Sequence, residues 1–208
     1  MAHPNYIKMH IRTVPELLRD CAETMYQRVK NTLEDEKLEQ TQMVVMTGCG
    51  YSYAAACNGA EFIEKIAGIP QGRFTQWMLP ATRIWMFCKG EQTLFIGVSG
   101  SGVVARVAEG LMRFRTKGAY AVAFSGDMQS KCARAAQVTV DISTPTVNIE
   151  RGLPLRGYAA TLLAFCGVAW RIAILQVEKV KRNGWRSMKI WWFPPMNCKR
   201  LCRKSNIR

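Results

Sequence analysis

At 208 residues, of which 49% are hydrophobic, the chain is long enough for one domain of about 150 residues with extensions and a full buried core. Its first residues carry charges without an apolar signal-type stretch, and no uncharged apolar run nears about 18 residues, which predicts a soluble, cytoplasmic chain with no membrane partner. The formal net charge is +14, but residues 1–175 hold 19 Lys and Arg against 14 Asp and Glu while the last 33 hold 10 against 1. The basic excess is therefore mostly a property of the tail, and no nucleic-acid partner is expected of the domain.

Taken in order, Val14, Leu17, Leu18, Cys21, Met25, Val29 and Leu33 mark an amphipathic helix from Val14 to about Gln40, with Thr13 as N-cap and Glu16 three residues on. Met43–Met46 reads as the first strand, and a helix follows from about Tyr53 to Ala67, ended by Gly68-Ile69-Pro70. Arg73–Trp77 can form a strand and Leu79–Phe87 a short helix. Leu94–Val98 is an apolar run suited to a strand buried on both faces, and Val103–Phe114 repeats apolar residues at helical spacing. A strand over Ala119–Phe124, a helix around Gln129–Ala135, a strand over Val138–Ile142, a loop to about Gly152 and a long apolar helix over Pro154–Leu175 complete the pattern. Alternating strands and helices with short loops predict an α/β chain whose parallel sheet is covered on both faces.

Two joints between strand and helix carry the chemistry. Ser99-Gly100-Ser101-Gly102 follows the central strand, and Thr47-Gly48-Cys49-Gly50-Tyr51-Ser52 follows the first. A glycine-rich turn into a helix leaves backbone N–H groups unpaired and aimed at one point, with the positive end of the helix dipole behind them. Such a turn favours an anion, most often phosphate, and Ser99 and Ser101 can each add a hydroxyl donor. Both joints lie at carboxyl ends of strands, which puts the ligand at the topological switch point of the sheet. Gly100–Ala105 also fits the dinucleotide pattern G-x-G-x-x-A, with Asp127 as the acidic partner, although the first joint lacks that pattern. The eight cysteines are scattered without paired spacing, as in a reducing compartment, and Cys198-x-x-x-Cys202 lacks a nearby histidine, so neither a metal nor another cofactor is expected.

Four segments in register, Gly48–Tyr53, Glu64–Pro70, Ser99–Gly102 and Ser130–Ala136, resemble successive motifs of the SIS (sugar isomerase) domain family. The order is most similar to the first SIS domain in the isomerase half of glutamine:fructose-6-phosphate transaminase and of relatives lacking the glutaminase part. The resemblance covers about Val14 to Leu175. It implies a three-layer, flavodoxin-like α/β/α domain that binds a phosphorylated hexose or amino sugar and pairs with another copy. The family's CG-[TS]-S motif falls on Cys49, Gly50, Tyr51 and Ser52, and its S-x-S-G-x-[ST] motif on Ser99 to Val104. Gly50, Tyr51, Ser52, Ser99, Gly100, Ser101, Gly102 and Val104 are thereby implied as the substrate-binding set.

Departures accompany the match. Tyr51 replaces a small or hydroxyl residue, Gly100 a common glutamine, and Val104 a Thr or Ser that would give one more hydroxyl to the phosphate. Asn148–Arg156, NIERGLPLR, keeps only loosely the family's loop before the long helix, with Arg151 and Arg156 as charges that could serve there. The family's catalytic glutamate and histidine belong to a second SIS domain, and here His3 and His10 both lie in the leading segment. Glu61, Glu64 and Glu150 read as a solvated helix face or loop charges rather than bases. No catalytic residue is assigned, and binding without catalysis, as in a regulatory sugar-phosphate sensor, is the alternative to half of an isomerase, aminotransferase or deglycase-type enzyme.

From Gln176 the composition changes: the remaining residues contain no alanine, ten basic residues and Trp185, Trp191 and Trp192. The expected organisation is an N-terminal segment over 1–40, the SIS domain over 41–175 and an irregular basic tail over 176–208, translated out of frame after about Ile174. Competing readings of the tail are a nucleic-acid-binding segment whose tryptophans stack bases and a membrane-surface segment.

Overall fold

The buried apolar runs at Met43, Leu94 and Ala119 form the middle of a five-stranded parallel sheet. In this computed structural model, residues 5–75, 88–147 and 154–183 are described. The strands are β1 (Met43–Gly48), β2 (Gln71–Thr75), β3 (Thr93–Val98), β4 (Tyr120–Ser125) and β5 (Val138–Asp141), in the order β2-β1-β3-β4-β5. Every pairing is parallel, with Val45 opposite Phe95 and Phe95 opposite Ala121. The chain leaves β1 towards β2 on one side and leaves β3 towards β4 on the other, so a crevice opens between the carboxyl ends of β1 and β3.

Period-two alternation divides the strand side chains between two helical layers. Val44, Met46, Leu94, Ile96, Val98, Tyr120, Val122 and Phe124 face α1 (Tyr6–Thr32), α2 (Asp35–Gln40), α3 (Tyr51–Phe62, continued by a π-helical turn Ile63–Ala67) and α6 (Leu155–Asn183). Val45, Phe95, Ala121 and Ala123 face α4 (Ala105–Thr116) and α5 (Lys131–Ala135). On that second face Phe95 and Phe114 stack with ring centroids 4.1 Å apart, a contact worth about 1 kcal/mol beyond area burial. Gly97 lies on the same face of β3; a Cβ there would come within 2.9 Å of Leu111, so the glycine sets how closely α4 approaches the sheet.

Several boundaries differ from expectation. The first helix begins at Tyr6, not Val14; Asn5 caps it by accepting the Lys8 N–H at 3.0 Å, and Thr13 lies inside, its hydroxyl donating to the His10 carbonyl at 2.8 Å. It ends at Thr32, and α2 is a separate short helix tied to α6 by the Arg171–Asp35 ion pair. The strand expected over Arg73–Trp77 runs from Gln71 to Thr75, and the helix expected over Leu79–Phe87 lies outside the described residues. The last helix continues past Leu175 to Asn183. Its stretch Leu155–Lys179 is long and apolar enough to cross a membrane, with mean hydropathy 1.7, contrary to the expectation that no run of that kind exists. Ala160, Ala164, Phe165, Val168 and Ile172 are instead buried in the core, which accounts for the apolarity. The chain divides into two units, Met1–Gln176 and Val177–Arg208, and the sheet with its layers belongs to the first. The remainder of the basic tail, residues 184–208 with Trp185, Trp191, Trp192, Cys198 and Cys202, lies outside the described residues.

Candidate functional site

At the end of β1 a Cβ on Gly48 would sit 2.7 Å from the backbone of Ser52 and Tyr53, so only glycine lets the first turn of α3 lie across the strand. Gly50 then turns the chain with φ 54° and ψ −122° and caps α3 without a side-chain bond. Ser52 donates its N–H to the Cys49 carbonyl at 3.1 Å, and the hydroxyl of Ser52 has no partner among the described residues. The positive end of a helix dipole is thereby left uncapped beside the crevice.

The joint after β3 is held by its carbonyls. Ser99 prolongs the sheet by donating to the Phe124 carbonyl at 3.0 Å, and the Gly102 N–H returns to the Ser99 carbonyl at 2.9 Å to close the turn. The Gly100 carbonyl accepts the Gly126 N–H at 2.9 Å, and the Gly102 carbonyl accepts the Cys132 N–H at 3.0 Å. Gly102 has φ 67°, and a Cβ there would lie 2.0 Å from the Ser130 Oγ, so glycine is required twice over. With the carbonyls so bound, the N–H groups of Gly100 and Ser101 are left without an acceptor among the described residues. That is the geometry of an anion cradle.

A cavity of about 310 Å³ lies over both joints. Tyr51, Ser52, Gly100 and Ser101 line it from the first and third strands, Gly126 from the fourth, and Ile142, Ser143 and Thr144 from the segment after β5. The first turns of α6 close it with Pro154, Gly157, Tyr158 and Thr161. Tyr158 is fixed by the Asn58 side-chain amide, which donates to its hydroxyl at 2.5 Å. Hydroxyls and main-chain groups supply the polarity; no Asp, Glu, His, Lys or Arg is among the described lining residues.

Of the eight residues singled out from the sequence, Tyr51, Ser52, Gly100 and Ser101 line the cavity, and Gly50 and Gly102 shape its two turns. Ser99 and Val104 do neither. Ser99 continues the β3 face that carries Phe95 and Gly97, and its hydroxyl is buried beside the Cys132 thiol without forming a hydrogen bond of normal geometry. Burial pushes that thiol up from its ordinary value, so it is neutral at pH 7. Val104 is the N-cap residue of α4, with no side-chain bond, and it packs against the second core face. Ser130 caps α5 through the Ala133 N–H at 3.2 Å, and Asp127 accepts the Gln129 N–H at 2.8 Å. Glu61 pairs with Lys65 on an exposed helix face and Glu64 accepts from Gln71, both away from the cavity lining. Arg156 donates to the Pro145 and Thr13 carbonyls instead of entering the cavity, and Glu150 and Arg151 lie outside the described residues. Sequence reasoning missed Ser143, Thr144, Tyr158 and Thr161; Thr144-Pro145 after a strand was the available signal.

No family model matches the chain. Over 105 residues, half of the chain, it is 32% identical to the glutamine–fructose-6-phosphate aminotransferase [isomerizing] of Symbiobacterium thermophilum and spans 17% of that protein's length. Among solved structures, the C-terminal domain of glucosamine-fructose-6-phosphate aminotransferase from Francisella tularensis superposes with a TM-score of 0.61 over 88% of the chain and 51% of its own length, at 16% identity. A protein of E. coli CFT073, solved in complex with a phosphosugar, does so with a TM-score of 0.58 over 85% of the chain and 94% of its own length, at 19% identity. The chain thus spans about half, or less, of the aminotransferases it matches. The two structures share its fold, the aminotransferase of S. thermophilum is related to it in sequence, and together with the four motifs in register they make this chain a protein of the SIS domain family.

Proposed function

We propose that the chain binds a phosphorylated sugar or amino sugar in the crevice between β1 and β3. The observation that carries this reading is the pair of acceptor-less N–H groups of Gly100 and Ser101, set beside the uncapped start of α3 within one cavity. They receive the phosphate, with the hydroxyls of Ser52 and Ser101 adding donors, and the sugar body lies towards Ser143, Thr144 and Tyr158. The names of the related aminotransferases and the phosphosugar complex of the E. coli structure support this ligand class.

The lining of hydroxyls and main-chain amides favours binding without turnover, because the described part of it offers no group able to shuttle a proton. In this reading the chain acts as the sugar-phosphate-binding half of an isomerase or aminotransferase, or as a sensor, in the reducing cytosol that its six free cysteines among the described residues suit. Self-association through α1 and α6 belongs to the same proposal. Calorimetric titration with glucosamine 6-phosphate, fructose 6-phosphate and arabinose 5-phosphate, with NAD as control, tests it. Saturable binding of a phosphosugar and none of NAD is expected; binding of NAD alone would overturn it. Turnover of any phosphosugar by the chain would remove the binding-only form.

A further inference from the structure

The cavity wall after β5 has no regular secondary structure, yet arginines from two helices hold its backbone. Arg28, near the end of α1, puts a single nitrogen, Nη1, 3.1 Å from the Asp141 carbonyl, 2.9 Å from the Ser143 carbonyl and 3.3 Å from the Asp141 Oδ2. The other carboxylate oxygen, Oδ1, accepts the Ser143 N–H at 2.8 Å. Arg156, in the first turn of α6, donates through Nη2 to the Pro145 carbonyl at 3.1 Å and through Nη1 to the Thr13 carbonyl of α1 at 3.5 Å. Every second carbonyl, at 141, 143 and 145, is therefore tied down by a guanidinium. Between these ties Ser143 and Thr144 line the cavity, and neither hydroxyl has a partner among the described residues.

We infer that Arg28, with Asp141, and Arg156 are positioning residues of the ligand site: they strap the segment Ile142–Pro145 so that Ser143 and Thr144 face the sugar body. The inference rests on the phosphosugar reading and names the part of the ligand that these residues serve. Neither guanidinium touches the β3 joint, and the charge of Arg28 is matched by Asp141, so the phosphate itself is not their partner. Two hydroxyls displaced by a loosened strap weaken the grip on the sugar, while the anion cradle keeps its geometry.

The test uses Arg28→Met and Arg156→Gln in the full chain, with Arg28→Lys as the conservative variant. Glucosamine 6-phosphate and inorganic phosphate are titrated against each, and amide hydrogen exchange is followed between Ile142 and Val147. Affinity for glucosamine 6-phosphate falls about five- to tenfold in both disruptive variants while that for inorganic phosphate stays within about twofold. Exchange in the strap accelerates at least about tenfold, with β3 and β4 unchanged. Arg28→Lys restores affinity to within about threefold of the native chain, because one nitrogen makes all three contacts. Parallel loss of both ligands, or unaltered exchange in the strap, overturns the inference. A native chain that binds phosphate but no phosphosugar overturns the proposed function instead, and the exchange rates then decide the strap alone. Should Arg28→Met fail to fold, Asp141→Asn replaces it and is judged by the same outcomes.

Discussion

Ser99 and Ser101 stand two residues apart in one turn, and their hydroxyls meet opposite surroundings. Ser101 is exposed and lines the cavity, whereas Ser99 is 2% exposed with an unpartnered hydroxyl. Ser101→Ala is expected to weaken phosphosugar binding by about 1 kcal/mol, roughly fivefold, with the melting temperature unchanged. Ser99→Ala is expected to leave affinity unaltered and stability unchanged or raised by up to about 1 kcal/mol, since it removes a buried hydroxyl that has lost water without gaining a bond. Titration and denaturant unfolding of the two variants side by side check both outcomes; a Ser99→Ala variant that loses affinity like Ser101→Ala would show that its hydroxyl turns to the ligand. Both serines were legible in the sequence as members of a phosphate joint. Their orientation was not, because it depends on which face of β3 the joint prolongs, and that is fixed by the packing of α4 and α5.

At the scale of elements, the meeting of α3 with α6 connects the core to the site. A Cβ on Gly59 would lie 2.3 Å from the Phe165 ring, one residue from the Asn58 amide that holds Tyr158 at the cavity. Gly59→Ala is expected to cost about 1–3 kcal/mol of stability through overpacking, offset only slightly by its better helix propensity, and to weaken phosphosugar binding as Tyr158 is displaced. Urea unfolding together with titration measures both, and an unchanged midpoint would show that the helices can separate without strain. The strands were readable from their apolar runs, and α3 and α4 from their spacing. The start of α1 was not: Ile7, Met9 and Ile11 recur every second residue and are all exposed, so no buried stripe marks the first turns. The cavity wall after β5 was equally hidden, since it has neither periodicity nor glycine and takes its shape from arginines distant in sequence.

For the molecule as a whole, two expectations follow from what the layers bury and what they leave open. Burial raises Cys132 above its ordinary 9.0 and Tyr120 above its ordinary 10.0. The folded chain therefore keeps these protons longer than the unfolded chain; their contribution is intact below pH 9 and is lost as pH rises through the folded values. The urea midpoint should hold up to about pH 9 and fall beyond it, and Cys132→Ala should reduce the fall. A midpoint insensitive to alkali would contradict the burial of both groups. The second expectation concerns association. A groove of about 370 Å³ runs between α1 and α6, lined by Ala22, Tyr26, Ile66, Leu163, Cys166 and Trp170 among others. Trp170 is 36% exposed and Leu18, on α1, is 39% exposed. Large apolar side chains on both rims of a groove lose water when a second copy covers them, and a two-fold pair lets each copy offer the same surface. No described residue lines both this groove and the ligand cavity, so pairing and phosphosugar binding should separate by mutation. The native chain is expected to sediment as a dimer, and Leu18→Glu and Trp170→Glu each to shift it to monomer, because a carboxylate buried in an apolar contact without a partner is costly. Phosphosugar affinity in the monomeric variants should stay within about twofold of native if the cavity is complete in one chain. A native chain that stays monomeric at its highest soluble concentration, or variants that remain dimeric, would place the contact elsewhere.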